Sequence, residues 1–151
     1  LANIEQLKNL TILTLQGFKN ITSLESLKYL TTLSFLTLHS FQTLNSFDCL
    51  KNLKNLTSIT LQSCLNLVNL NDLEHLPKLI ALNLHGCTNI TSLKGIQKLT
   101  NLTTLNLQGC KNISSLEGLQ QLTKLTSLNL QGCNKLNSLE SKMGHPPSLS
   151  E

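Results

Sequence analysis

A short segment recurs at a fixed spacing along the chain. Its clearest form reads Leu105-Asn-Leu-Gln-Gly-Cys110. The spacing is 23 residues. A strict period of this length is typical of stacked structural units, each forming one turn of an elongated array. The pattern predicts a single array of six repeats over residues 1–140, with a partial repeat at 1–7 and a C-terminal tail or cap at 141–151. The last residue of each segment is Phe or Cys, and these markers lie 23 residues apart with no insertion or deletion: Phe18, Phe41, Cys64, Cys87, Cys110 and Cys133.

Each segment also predicts a strand. Leucine or isoleucine occupies the positions of Leu13 and Leu15 in every repeat, and a single polar residue separates them. Alternation with a period of two is typical of a half-buried strand. Elsewhere in the repeat the apolar residues fall every third position, which suits 3-10 turns and irregular backbone better than a long α-helix. We therefore expect six parallel strands about 4.8 Å apart, near residues 11–16, 34–39, 57–62, 80–85, 103–108 and 126–131.

A small residue follows each predicted strand. Gly or Ser at this point lets the chain turn a corner without a bulky side chain. These residues are Gly17, Ser40, Ser63, Gly86, Gly109 and Gly132.

Together these columns form the pattern L-x-x-L-x-L-x-x-C-x-N-I, which resembles leucine-rich repeat proteins over essentially residues 7–140. The Gly-Cys and Asn-Ile pairs resemble the cysteine-containing repeats of intracellular receptors and microbial proteins. The resemblance implies an α/β fold, namely a curved right-handed solenoid or horseshoe with a concave parallel sheet and a 3-10 or irregular convex side. Repeats five and six are nearly copies, which indicates either recent duplication or a consensus-built sequence.

Composition narrows the classes of partner. Charged residues make up only 13% of the chain, about half the usual share, so the surface is expected to be polar but largely uncharged. The net charge of +4 comes from lysines that occur singly, and arginine is absent. Nucleic-acid-binding proteins usually show a stripe of basic residues, so we expect no nucleic acid partner. No continuous apolar run reaches about 18 residues, so we expect no membrane span.

Cysteine is the first candidate for chemistry. Four of the five cysteines share the marker column, where a spacing of about 4.8 Å falls within the range of a disulfide. Side chains in one column lie parallel, however, and Phe fills the same slot in two repeats, so we expect buried, reduced thiols. Cys49 is expected to be exposed, and an unpaired exposed thiol favours a reducing, cytoplasmic location. Its column contains Ser26, Asp72, Gly95 and Gly118.

The predicted outer face of the sheet has no candidates for catalysis. His39 and His85 share a column but lie two turns apart, about 9.6 Å, which is too far for one metal ion to bridge. The face contains no Asp, Glu or Lys, so it lacks a general acid–base pair. We therefore predict neither an enzyme nor a cofactor or metal site. Three rows of side chains make up this face: Ile12, Phe35, Ser58, Ala81, Thr104 and Ser127; Thr14, Thr37, Thr60, Asn83, Asn106 and Asn129; and Gln16, His39, Gln62, His85, Gln108 and Gln131.

This polar face, with Ile12 and Phe35 at one end, predicts a protein-binding surface. The hypothesis is a recognition segment of a larger intracellular leucine-rich repeat protein, such as a receptor or a microbial effector. The main alternative is a structural scaffold that self-associates, because Leu1, Ile4 and Leu7 occupy the back half of a turn whose strand is missing. That start within a repeat indicates a fragment or processed form and predicts an uncapped N-terminal end. Carbohydrate binding by the amide-rich rows is a third possibility.

Overall fold

The repeats fold into one parallel sheet. A computed structural model describes residues 1–138, and side chains as far as residue 136. The sheet has the order β1-β2-β3-β4-β5-β6, and every neighbouring pair is parallel. This confirms the predicted solenoid with side-by-side strands. The strands are β1 (Ile12–Gln16), β2 (Phe35–His39), β3 (Ser58–Gln62), β4 (Ala81–Asn83), β5 (Thr104–Asn106) and β6 (Ser127–Asn129).

The register of the sheet repeats the sequence period without a slip. Leu13 aligns with Leu36, Leu36 with Ile59, and Ile59 with Leu82. A shift of one residue would move the leucines to the outer face, so burial of this column fixes the register.

The backs of the repeats contain short 3-10 helices, turns and irregular backbone. Spacing by three places one apolar side chain inward per 3-10 turn, as the sequence predicts. The first four helices lie against their neighbours in adjacent repeats. The back helices are Ile4–Gln6, Glu25–Tyr29, Asp48–Asn52, Asn71–Leu73 and Ile96–Lys98, whereas the 3-10 helix Asn134–Ser138 lies in the turn after β6.

The interior is a continuous, dry column of leucines. Leu27, Leu30, Leu33 and Leu38 are fully buried, and the equivalent residues of the next three repeats are nearly as well covered. Among the described residues, no polar or charged side chain is buried. Burial of apolar area contributes about 25 cal/mol per Å². Neighbouring turns therefore stabilise one another, and the array has no separate central core.

The corners after the strands have left-handed backbone, as the small residues predict. Ser40 and Ser63 have φ of 62° and 54°, and Gly132 has φ of 79°. A Cβ atom added at Gly132 would lie 3.3 Å from the Cα of Gly109, so successive corners also pack closely. Glycine is favoured here for both its backbone freedom and its size.

The prediction that Cys49 is exposed is wrong. Cys49 is buried and lies in the 3-10 helix Asp48–Asn52, which packs against the 3-10 helix Glu25–Tyr29 of the preceding repeat. The polar residues of its column suggested a surface position, but the stacked backs of the repeats cover this site. The thiol therefore no longer supports a reducing compartment on the ground of exposure.

The predicted bounds of the last three strands are too long, since β4, β5 and β6 end at Asn83, Asn106 and Asn129. The side-chain oxygen of each asparagine accepts a hydrogen bond from the backbone N–H two residues later, at 2.9 to 3.0 Å. That N–H is then not available to the neighbouring strand. In β1–β3 a threonine stands at the same position and pairing continues for two more residues.

The N-terminal end of the given chain lies within the described residues, and residues 139–151 do not. Leu1 and Leu7 are exposed at the N-terminal end, and in the described chain only β2 pairs with β1. The predicted end of the array at residue 140 and the tail at 141–151 lie outside the described residues.

Candidate functional site

The candidate site is the outer face of the sheet, which we call the sheet face. The structure places all three predicted rows there, with every side chain exposed or half-buried. The third row lies within strands β1–β3 and two residues beyond the ends of β4–β6. Because neighbouring strands are in register, each row runs straight across the sheet.

One end of the sheet face is apolar. The side chains of Ile12 and Phe35 are 62% and 48% exposed, and these residues are register neighbours on β1 and β2. The equivalent positions on the later strands hold small or hydroxylated residues. The face therefore offers one apolar spot beside polar rows.

The asparagines of the middle row present hydrogen-bond donors. Their Oδ1 atoms accept from the backbone N–H groups of His85, Gln108 and Gln131. Each side-chain NH₂ group is then directed away from its own backbone, and that of Asn129 lies 3.4 Å from Oε1 of Gln108. The strand-capping role of these asparagines was not foreseen from the sequence, although their exclusive place in repeats four to six was visible there.

The histidines are separate surface residues. His39 Nδ1 lies 3.4 Å from Ser40 Oγ, and one strand separates His39 from His85. Over residues 1–138, no group of three His, Cys, Asp or Glu side chains could hold a metal ion.

The marker cysteines form a buried ladder, as predicted. Over the described residues none of the five cysteines is in a disulfide. Burial raises the pKa of Cys110 to about 12, and interaction with Cys64 followed by burial raises the pKa of Cys87. Thiols that stay protonated at neutral pH are poor nucleophiles. Each marker thiol donates to a leucine carbonyl of the preceding repeat: Cys64 to Leu38 at 3.7 Å, Cys87 to Leu61 at 2.7 Å, Cys110 to Leu84 at 3.1 Å and Cys133 to Leu107 at 3.1 Å.

The turns beside the sheet face carry positive charge that sequence reasoning missed. Each strand and its two flanking turns fall within a window of the repeat, namely residues 8–22, 31–45, 54–68, 77–91, 100–114 and 123–137. These windows contain no Asp or Glu. Their lysines, here called the rim lysines, are all exposed: Lys8, Lys19, Lys54, Lys78, Lys111, Lys124 and Lys135.

The acidic residues of the described chain lie on the opposite side of the repeat, in the back segments between these windows. They are Glu5, Glu25, Asp48, Asp72, Glu74 and Glu117. The lysines look scattered along the sequence, and only counting charge by repeat position shows the separation.

No helix within the described residues is both long enough and apolar enough to cross a bilayer.

Comparison with known proteins identifies the repeat type. A family model described as leucine-rich repeats (two copies) matches residues 77–121 and 100–142. A search of curated protein sequences finds no significant match.

Several solved bacterial structures share the fold. Internalin C2 of Listeria monocytogenes is 28% identical with a TM-score of 0.69, and the match covers 78% of this chain and 50% of that one. The functional domain of InlJ from the same organism, described as including a cysteine ladder, is 27% identical with a TM-score of 0.68, covering 86% and 27%. A leucine-rich repeat protein of Leptospira interrogans is 27% identical with a TM-score of 0.71, covering 87% and 34%. The chain thus spans half or less of the length of each.

Proposed function

Since this chain is a leucine-rich repeat protein, and such domains are generally protein-interaction modules, we propose that it is a non-enzymatic protein-binding segment of a larger protein. The observation that carries this proposal is the sheet face, where an exposed apolar pair adjoins in-register polar rows. Similarity to internalins and to a Leptospira protein favours a microbial parent, such as an effector, over a receptor. An intracellular location stays a prediction.

The rigidity of the sheet face supports binding. Its side chains are carried by a hydrogen-bonded ladder on a buried leucine column, so little of the backbone has to be ordered when a partner binds. A preordered surface lowers the entropic cost of association.

The area of the sheet face sets a further condition. Six strands about 4.8 Å apart, each exposing about 10–14 Å of length, give roughly 300 Å². A standard interface buries about 800 Å² per partner. The flanking turns or further repeats of a parent protein must therefore contribute.

Changing the apolar pair tests the proposal. In affinity capture from the native host followed by quantitative mass spectrometry, the double variant Ile12→Ser/Phe35→Ser is expected to lose about tenfold of any partner signal, because exposed apolar anchors dominate interface energies. The control is Tyr29→Ser, which removes a side chain that is 52% exposed on the back of the array, away from the sheet face and its flanking turns. Equal loss in both variants, or none in the first, contradicts the proposal.

A second candidate is self-association through the N-terminal end. The exposed side chains of Leu1 and Leu7 and the outer edge of β1 favour it, because an open strand edge can pair with another chain. Sedimentation velocity over a hundredfold concentration range tests it. A mass that rises with concentration, and that falls back in Leu7→Lys, supports a scaffold role, whereas a monomer throughout eliminates it.

A further inference from the structure

The lysines on the two sides of the solenoid have different interaction partners. On the back, Lys28, Lys51 and Lys98 form ion pairs with Glu25, Asp48 and Glu74 at 2.6 to 3.3 Å. Three of the four described lysines in the back segments are therefore paired with a carboxylate, and the fourth is Lys94.

Six rim lysines are not neutralised in this way: Lys8, Lys19, Lys54, Lys78, Lys111 and Lys124. Lys54 donates to the backbone oxygen of His75, and Lys78 donates to Oδ1 of Asn55. Lys124 donates likewise to Oδ1 of Asn101. These acceptors are uncharged, so the positive charge remains. Among the described residues no carboxylate lies within ion-pair distance of Lys8, Lys19, Lys54, Lys78, Lys111 or Lys124.

We propose, building on the proposed function, that the partner of the sheet face is a protein surface with an uncharged centre and an acidic periphery. The centre would meet the neutral rows and the apolar pair, and the carboxylates would meet the rim lysines. Since the sheet face alone is too small for a standard interface, the turns that carry the rim lysines would supply part of the additional area.

The rim lysines and the uncharged centre are expected to contribute to binding in different ways. Rim charges remain hydrated, so their pairing with carboxylates adds little net affinity but increases the association rate and excludes basic partners. The centre contains no Asp, Glu, Lys or Arg, so covering it with a partner removes no such charged side chain from water. The attraction acts over about 8 Å at physiological salt and weakens as salt rises.

A protein partner fits the rims better than a nucleic acid does. Recognition of a phosphate backbone favours clustered basic residues, including arginine, with aromatic side chains for base stacking. Here the rims carry lysines only, each on its own, and Phe35 is the single aromatic residue of the sheet face.

The test compares two triple variants with the same change in net charge. The rim variant is Lys54→Gln/Lys78→Gln/Lys124→Gln, and the back variant is Lys28→Gln/Lys51→Gln/Lys98→Gln. Glutamine keeps a hydrogen-bond donor at each site. Circular dichroism and the urea midpoint establish that both are folded. The probes are a fluorescein-labelled peptide of twelve glutamates and a labelled oligothymidylate of equal charge, titrated by fluorescence anisotropy at low salt.

We expect the glutamate peptide to bind the unmodified chain, to bind the rim variant at least about fivefold more weakly, and to bind the back variant within about twofold of the original. Equal weakening in both variants, no binding of the glutamate peptide, or tighter binding of oligothymidylate overturns the inference. Each of these results leaves the proposed function standing, because that is decided separately by the Ile12 and Phe35 variant.

Discussion

The first three strands and the last three are built on the same repeat but end differently. In β1–β3 a threonine occupies the middle of the strand, and pairing extends five residues. In β4–β6 an asparagine occupies that position and the strand is three residues long. The marker residue changes one repeat earlier: it is Phe in repeats one and two, and Cys in the other four.

Hydrogen bonding explains why every repeat with the asparagine also has a marker cysteine. Leu84 N–H donates to Asn106 O in the next repeat, which is the residue before its register partner. Following the same pattern toward the preceding repeat, the N–H of His85 would donate to the carbonyl of Leu61. It donates instead to the side-chain oxygen of Asn83. The thiol of Cys87 then donates to that carbonyl at 2.7 Å.

The third repeat shows the intermediate case. It combines Thr60 with Cys64, and its strand keeps the full length. The Cys64 thiol lies 3.7 Å from both Leu38 O and Gln62 O, a long contact divided between two acceptors. We conclude that the asparagine releases a carbonyl and the cysteine satisfies it. A buried carbonyl rarely remains without a partner.

The largest expected change in stability follows from replacing a marker phenylalanine. Phe41 is fully buried, whereas Phe18 is 37% exposed and stacks on it with centroids 6.0 Å apart. Phe41→Ala should lower the free energy of unfolding by about 3–5 kcal/mol, and Phe18→Ala by clearly less, because the first change leaves a cavity. Urea unfolding followed by circular dichroism measures both. Equal losses would mean that the two phenylalanines are equally buried.

The loss of stability on replacing a marker cysteine should depend on whether its repeat contains the strand-capping asparagine. Cys110→Ala leaves the carbonyl of Leu84 without its thiol donor, which should cost about 1–3 kcal/mol. Cys64→Ala removes only a long, shared contact and should cost less. The same unfolding experiment compares them, and a larger loss for Cys64 would contradict the proposed exchange of partners.

A double-mutant cycle sharpens this comparison. Asn106→Thr frees the N–H of Gln108, which can then donate to Leu84 O in place of the Cys110 thiol. The loss for Asn106→Thr/Cys110→Ala should therefore be smaller than the sum of the single losses, with a coupling of about 1 kcal/mol. Thr60→Ser/Cys64→Ala, where no asparagine is present, is the control. Strict additivity in both pairs would rule the mechanism out.

Alkaline pH gives an effect that vanishes at neutrality. Burial raises the pKa of Cys49 and Cys110 from 9.0 to about 12. Between these values the unfolded chain loses thiol protons that the folded chain keeps, so stability falls as pH rises. Urea midpoints should be insensitive to these thiols below pH 8 and should fall between pH 9 and 12. The fall should be shallower in Cys110→Ala, and an identical fall in that variant would contradict the assignment.

Much of this fold could be predicted from the sequence because the period constrains every repeat at once. The columns of Leu13 and Leu15 predicted the strands and their register, and the Phe and Cys markers predicted the buried ladder. Cys49 was misplaced because its column lacks an apolar pattern, and its burial depends on how successive backs stack.

The strand ends could not be predicted by alternation alone, because a polar residue at Asn83 suggests an exposed strand position whichever way its side chain bonds. The grouping of the rim lysines could not be predicted either, because it depends on which turns the fold places beside the sheet. The rows of the sheet face were predicted by residue, but what they bind is not visible in a pattern of neutral side chains.

The most direct test of the stacked architecture is the reactivity of its marker thiols. Native protein is treated with iodoacetamide at pH 8, and labelling of each cysteine is followed over time by mass spectrometry, with protein in urea as the reference. Cys87 and Cys110 should remain unlabelled for hours in the native state, because both are fully buried, and should be labelled rapidly in urea. Rapid labelling of either one in the native protein would contradict the dry, stacked interior on which the sheet face and its rims depend.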